Sequence, residues 1–243
     1  MTLIQVNIPD SSFRYYFDSQ TRERYVSVTK SLTIMAMGEA FYNWLRTKGE
    51  ESKILTEMAQ ISGTKLHGII ETWIKTNTIP TDRAALDLWY DTQDLECSYE
   101  ELHKLEGFVN FNNEYKPNYL ETEVTYAISE IKVAGTIDIV CEIGNVIHII
   151  DIKTGSGIHN NNKLQVAFQE MSYRLAKNTT NTKRALLHLK TDTKKKYNLQ
   201  MAKNTLEHDY EAFKHAVGLW MWDSPKWATF LKENEPVGEV ANA

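Results

Sequence analysis

Three residues concentrate the chemistry available to this chain: Asp138, Asp151 and Lys153. They lie on two β-rich runs, Val133–Ile143 and Val146–Thr154, separated by Gly144-Asn145. A two-residue loop of that composition favours a tight hairpin. With Ile143 opposite Val146, Asp138 falls directly across from Asp151. Directly opposed residues share a face with Cβ atoms roughly 5 Å apart, and alternation along the strand brings Lys153 onto it as well. Opposed carboxylates destabilise a sheet unless a cation neutralises them. A hard divalent ion does so, held by one or two carboxylates and completed by water and phosphate oxygens. A neighbouring lysine can position or deprotonate a water, or steady charge on the phosphate. These parts suffice for metal-assisted phosphodiester hydrolysis. An Asp-x-Lys also arises as an exposed ion pair on a hairpin edge. Here, however, Val146–Ile152 is almost wholly apolar, which predicts a buried strand.

The surrounding elements follow from period and composition. Arg14–Val28 reads as a β-hairpin with a polar turn at Asp18–Glu23, and Ser27–Leu32 leads into a helix through Trp44. Glu51–Lys75 carries an apolar face at helical spacing, and a second helical stretch spans Asp82–Asn112, ending before Pro117. Tyr119–Ser129, Val133–Ile143 and Val146–Thr154 are rich in Val, Ile and Thr and read as three strands. Leu164–Ala176 returns to helical period, Arg184–Thr191 is a strand, and Thr205–Trp222 closes with a helix. The pattern predicts a mixed α/β domain, a central mixed sheet flanked by helices with an N-terminal β-hairpin and helical region. One domain over residues 1–243 is expected, with loose ends at 1–12 and 234–243.

Composition narrows the function classes. No run approaches the roughly 18 apolar residues of a membrane span, and Met1–Asp10 has no signal-peptide pattern, so a cytoplasmic protein is expected. Cys97 and Cys141 are the only cysteines, too few for a disulfide framework or a four-cysteine iron–sulfur cluster. The net charge of -5 offers nucleic acid no global attraction. Its distribution differs: Lys183, Arg184, Lys190, Lys194, Lys195, Lys196 and Lys203 face a single acid, Asp192. That run is either a solvated loop or a phosphate-tracking patch, with Lys194, Lys195 and Lys196 as its centre. Tyr15, Tyr16, Tyr25, Trp44 and Trp73 serve either as core or as stacking platforms for bases.

Taken together, Ala134-Gly135-Thr136-Ile137-Asp138, Ile150-Asp151-Ile152-Lys153-Thr154-Gly155 and Leu164-Gln165-Val166-Ala167 resemble the PD-(D/E)xK nuclease superfamily, in its RecB-like exonuclease branch. Tyr25-Val26-Ser27-Val28-Thr29, Trp44 and Gly63-Thr64-Lys65-Leu66-His67 are similar to segments of phage and mitochondrial genome-maintenance exonucleases. The resemblance covers roughly residues 13–222. It implies a restriction-endonuclease-like core and a Mg²⁺- or Mn²⁺-dependent deoxyribonuclease without an iron–sulfur cluster. The implied substrate is DNA, with single-stranded ends favoured, in replication, recombination or repair in a bacterial or phage-infected cell. Carried over by position, Asp138 and Asp151 are metal ligands with His67 and the Ile152 carbonyl, and Lys153 is the catalytic lysine. Gln165 matches the branch's glutamine, but the tyrosine expected four residues on is replaced by Gln169. The register Gln169/Tyr173 therefore stays open beside it. Glu71, one turn beyond His67, and Glu123, which alternates onto one face with Glu121, are supporting candidates, and Ser27 and Thr29 are DNA contacts.

Two rival readings use the same residues. Ser27-Val28-Thr29-Lys30 and Lys153-Thr154-Gly155 match the Ser-x-x-Lys and Lys-Thr-Gly of serine acyl-transferases, though the middle Ser-Asp-Asn element is lacking. The other is a catalytically silent DNA-binding or assembly module on the same fold.

Overall fold

The hairpin that organises the site forms at the predicted turn. In a computed structural model that describes residues 2–8, 14–35, 38–232 and 239–240, Gly144 and Asn145 both take positive φ, 58° and 63°. A type I′ turn needs that conformation at both central residues, and Gly and Asn adopt it most readily. The turn joins β5 (Val133–Ile143) to β6 (Val146–Lys153), and Ile143 pairs with Val146 as expected.

The remaining strands extend this pair on both sides. β1 (Leu3–Asn7), β2 (Arg14–Asp18) and β3 (Glu23–Ser27) form an antiparallel meander, and β3 joins the start of β5 in parallel. β4 (Asn118–Ile128) runs antiparallel along the opposite edge of β5. Beyond β6 lie β7 (Thr182–Leu189), parallel to it, and β8 (Tyr197–Met201), antiparallel to β7, while β9 (Glu239–Val240) pairs with β1. The result is a mixed sheet in the order β8-β7-β6-β5-β3-β2-β1-β9, with β4 on β5 off that path.

One edge of β5 is shared. β3 holds Val133 and Ala134, and β6 holds Ile139 to Ile143. Residues 135–138 lie between the two partners, so the sheet parts there. Asp138 sits at the end of this gap.

Helices cover both faces. α1 (Val28–Ser31) is a single turn after β3, α2 (Glu39–Lys48) follows, and α3 (Glu51–Thr76), α4 (Arg83–Asp91) and α5 (Tyr99–Tyr115) come next. Leu66, Ile70 and Trp73 of α3 and Leu105, Phe108 and Phe111 of α5 pack on Ile139, Cys141, Ile150 and Leu187 of the sheet. α6 (Asn160–Lys177) lays Val166 and Tyr173 on Ile137, Val140 and Ile149 across the other face. Phe168 of α6 meets Phe213 and Trp220 of α7 (Leu206–Asp223), and α8 (Pro225–Phe230) closes the chain's helical part. This is the restriction-endonuclease-like mixed α/β architecture the sequence predicts. No helix among the described residues is long and apolar enough to cross a membrane.

Four boundaries differ from the sequence reading. The stretch 82–112 is two helices, because Ser98 and Glu101 form a capping box that starts α5 afresh. The 27–44 stretch breaks after Ile34, and α2 begins beyond Gly38. β8 lies inside the basic run, where lysines mask its alternation. The expectation of a loose end does not hold for residues 3–7, which pair with β2, nor for Glu239 and Val240; the rest of 234–243 and residues 9–12 lie outside the described residues. The aromatics Tyr15, Tyr16, Tyr25 and Trp73 are buried core, which decides against base stacking for these four.

Candidate active site

Where β5 and β6 part, a side chain takes over from the backbone. The ladder stops at Ile139↔Ile150, and the next free N–H, that of Ile152, donates to Asp138 Oδ2 at 2.6 Å. Asp138 therefore reaches across the opening rather than standing beside Asp151 as a directly paired residue. Its own carbonyl accepts from Thr122 Oγ1 at 2.8 Å, which fixes the strand on its β4 side.

Asp151 is buried to 1% exposure. Its Oδ1 accepts from Gln165 Nε2 at 2.8 Å and Gln169 Nε2 at 3.0 Å, and Lys153 Nζ stands 2.6 Å from Oδ2. Lys153 Nζ also donates to Gln165 Oε1 at 3.1 Å. Two glutamines one helical turn apart thus converge on one carboxylate oxygen, and Gln169 additionally donates to the Thr136 carbonyl at 2.8 Å. Gln165 and Gln169 are therefore both brought to Asp151. Tyr173 does not reach it; it packs edge-on against Tyr126 in the core beneath α6.

The opposite wall comes from α3. His67 Nδ1 lies 3.6 Å from Asp138 Oδ2 and 3.7 Å from Glu123 Oε1. Glu123 gets there through an irregularity: its φ is 50°, a left-handed conformation in the middle of β4. A non-glycine residue held there costs about 1–3 kcal/mol, and such residues cluster at functional sites. The twist breaks strand alternation, so Glu121 and Glu123 do not share surroundings as their spacing predicts. Glu121 turns to Lys177 and Tyr126, at 2.5 and 2.6 Å.

These groups share one cleft of 520 Å³, whose lining includes Gly63, Thr64, His67, Gly68 and Glu71 of α3 along with Ser27, Thr29 and Ile152. Glu71 is ion-paired to Lys75 at 2.5 Å. Ser27 Oγ caps α1 by accepting from the Lys30 N–H at 3.2 Å. The hydroxyl is thus occupied, and Lys153 is held by Asp151 and Gln165, so the Ser-x-x-Lys pattern here is a helix start. At Thr154 and Gly155 the cleft continues into a groove of 790 Å³ bounded by α3, α5 and the end of β7.

Most of the basic run is placed elsewhere, Lys190 alone of its cations lining the groove. Lys195 pairs with Glu114 and Lys196 with Glu106, both at 2.6 Å on α5, and Arg184 is buried against Glu170 and Asp209. The run is therefore not the open strip its composition suggests, and Lys194, Lys195 and Lys196 line neither the cleft nor the groove. Sequence reading passed over Thr136, Gln5 and Arg14, all of which line the cleft. Thr136 stands two residues before Asp138, and Arg14 two before Tyr16, whose hydroxyl lies 3.2 Å from Thr136 Oγ1. Strand periodicity was the available signal.

The donor set suits a divalent cation. Ligand atoms of His67, Glu123 and Asp138 all lie within 4.8 Å of one another, and two carboxylates with an imidazole are ordinary ligands for such an ion. Burial pushes the Asp138 carboxyl up to about 7, with Asp151 and Glu123 adding to the rise and His67 opposing it. Burial by itself would lower the His67 imidazole, but Asp138 and Glu123 carry it up to about 9. Lys153 follows the same logic: burial lowers it, and Asp151 and Asp138 outweigh that to hold it above its usual value. This is a pocket with more negative charge than its cations offset.

A pH dependence follows. Asp138 and His67 both have folded values above their ordinary 3.8 and 6.5, so the native protein binds more protons than the unfolded chain. Asp138 contributes stability below 3.8 that is lost as pH rises through about 7, and His67 contributes below 6.5 and loses through about 9. In chelator, melting temperature should fall from pH 5 to pH 9 more steeply for the wild type than for Asp138→Asn, which keeps an acceptor for Ile152 but has no proton to lose. Parallel curves would refute these shifts.

The PD-(D/E)XK nuclease superfamily matches residues 40–223. A match of that extent defines a nuclease, and this chain belongs to that superfamily. No curated protein matches it. Among solved structures, a crystal structure from Eubacterium rectale, named provisionally as an exonuclease, is similar at 13% identity and TM-score 0.45, covering 89% of this chain and 84% of that one. A second, the crystal structure of SSO0001, is similar at 13% identity and TM-score 0.36, covering 80% and 75%.

Proposed function

We propose that this nuclease is a Mg²⁺- or Mn²⁺-dependent deoxyribonuclease of the RecB-like branch, an exonuclease that works from single-stranded ends in replication, recombination or repair. The observation that carries this reading is the meeting of His67, Glu123 and Asp138 with the Lys153–Asp151–Gln165 set in one cleft. His67, Glu123 and Asp138 would hold the ion, with Asp151 and the Ile152 carbonyl beside them. When bound, it would supply Lewis-acid stabilisation of charge on the phosphate.

The chain's own residues do the rest. Asp151 and Gln165 fix the Lys153 ammonium, and Asp151 and Asp138 keep it protonated against its burial, so it offers a preorganised positive charge to the phosphate oxygens. Gln169 ties Asp151 to β5 through Thr136, which holds the two halves of the opened sheet at one spacing. A cleft of 520 Å³ running on into a groove of 790 Å³ suits an unpaired strand threaded along it.

The test is end-labelled single- and double-stranded DNA incubated with Mg²⁺ or Mn²⁺, with a chelator control. Stepwise shortening of the single strand, abolished by chelator, is expected. Metal-independent cleavage, or internal cuts in duplex DNA, would overturn the reading.

A further inference from the structure

The cations of the cleft are not equivalent. His67 faces Asp138 and Glu123, and Lys153 is held by Asp151. Arg14 lines the same cleft from the start of β2, is exposed, and has no carboxylate partner among the described residues. Its contact is with a neutral group: Nη2 lies 3.5 Å from Thr29 Oγ1, which lies 3.4 Å from Ser27 Oγ. Ser27 is fixed in turn by capping α1. One corner of the guanidinium is thus steadied by a hydroxyl, and its other N–H groups have no hydrogen bond to the described residues. A planar fork of donors matches the oxygens of a phosphate and makes charge-assisted hydrogen bonds to them.

The electrostatics say which phosphate. Glu71, Glu123, Asp138 and Asp151 line the cleft and repel a polyanion. The ion and Lys153 offset that repulsion where the phosphodiester is cut. A strand brings further phosphates into the same cleft, and each needs its own cation. We propose that Arg14 grips a backbone phosphate next to the one being cleaved, positioned by Thr29 and Ser27. It would thereby favour substrates carrying more than one phosphate. The inference rests on the nuclease reading above.

The test compares wild type, Arg14→Gln and Arg14→Lys on a single-stranded oligonucleotide and on a dinucleoside monophosphate, which has only the scissile phosphate. For Arg14→Gln, KM for the oligonucleotide should rise about tenfold, as expected for a lost hydrogen bond to a charged group. kcat should stay within about twofold if Arg14 touches only a non-reacting phosphate. Cleavage of the dinucleoside monophosphate should be unchanged. Oligonucleotide binding measured in chelator should show a log-affinity against log-salt slope flatter by about 0.7 for Arg14→Gln and unaltered for Arg14→Lys. An unchanged slope and KM would overturn the proposal, as would an equal loss on both substrates. If the wild type cleaves neither substrate, the nuclease reading fails, and the binding slope alone still decides for or against Arg14.

Discussion

Lys153→Met should lower cleavage of single-stranded DNA by about 10²–10⁴ at saturating substrate, the loss typical of removing one group preorganised for the transition state. The ammonium is fixed 2.6 Å from Asp151 Oδ2 and 3.1 Å from Gln165 Oε1, so its charge is held at one place beside the carboxylates of the cleft. Methionine keeps an unbranched apolar stem, and the fold should survive. Asp151 would keep the amide donors of Gln165 and Gln169 but lose its cation. In chelator the variant should therefore be less stable by roughly 1–3 kcal/mol, the cost of a lost charged partner at a buried acceptor. Single-turnover rates on end-labelled DNA and denaturant melts read the two effects separately. A folded Lys153→Met protein with wild-type rates would remove Lys153 from the chemistry.

The largest stability effect should come from Arg184→Met, away from the cleft. The Arg184 side chain is 4% exposed and bonds Glu170 Oε2 at 2.9 Å and Asp209 Oδ2 at 2.6 Å. It thereby joins β7 to α6 and α7, and donates also to the Asn204 and Thr205 carbonyls. Burial alone would raise the Asp209 carboxyl, yet Asn204 and Arg184 hold it below its ordinary value. Removing the guanidinium leaves two buried carboxylates short of a partner, which costs about 3–5 kcal/mol. For a chain of this length that is a fall in melting temperature of roughly 6–20 °C. Glu170 keeps Arg174 and Thr182, so Asp209 should dominate the loss, and adding Asp209→Asn should recover part of it. Activity at low temperature should persist, because none of Arg184, Glu170 and Asp209 lines the cleft. A change below about 1 kcal/mol would mean that water replaces Arg184 without cost.

Much of the site was legible because short-range rules fix it. The Gly144-Asn145 turn sets the register of β5 and β6, and register sets which side chains meet. That Asp138 comes near Asp151 and Lys153 follows from the turn, but their direct pairing does not, because the ladder ends at Ile139 and Ile150; the 3.6-residue spacing likewise turns His67 and Glu71 of α3 to one side. What local pattern cannot encode is where a strand changes partner. β5 passes from β3 to β6, partners more than 100 residues apart in the chain, and only that exchange opens the gap at residues 135–138. Glu123 joins His67 through a left-handed residue that strand periodicity forbids, held in place by its neighbours. The lysine run shows the converse. Its composition suggested a phosphate track, but the packing of the β7–β8 loop on α5 sets Lys195 and Lys196 against Glu114 and Glu106. The fold places Arg14 in the cleft with no carboxylate partner among the described residues, and sets Lys195 and Lys196 outside it, beside Glu114 and Glu106.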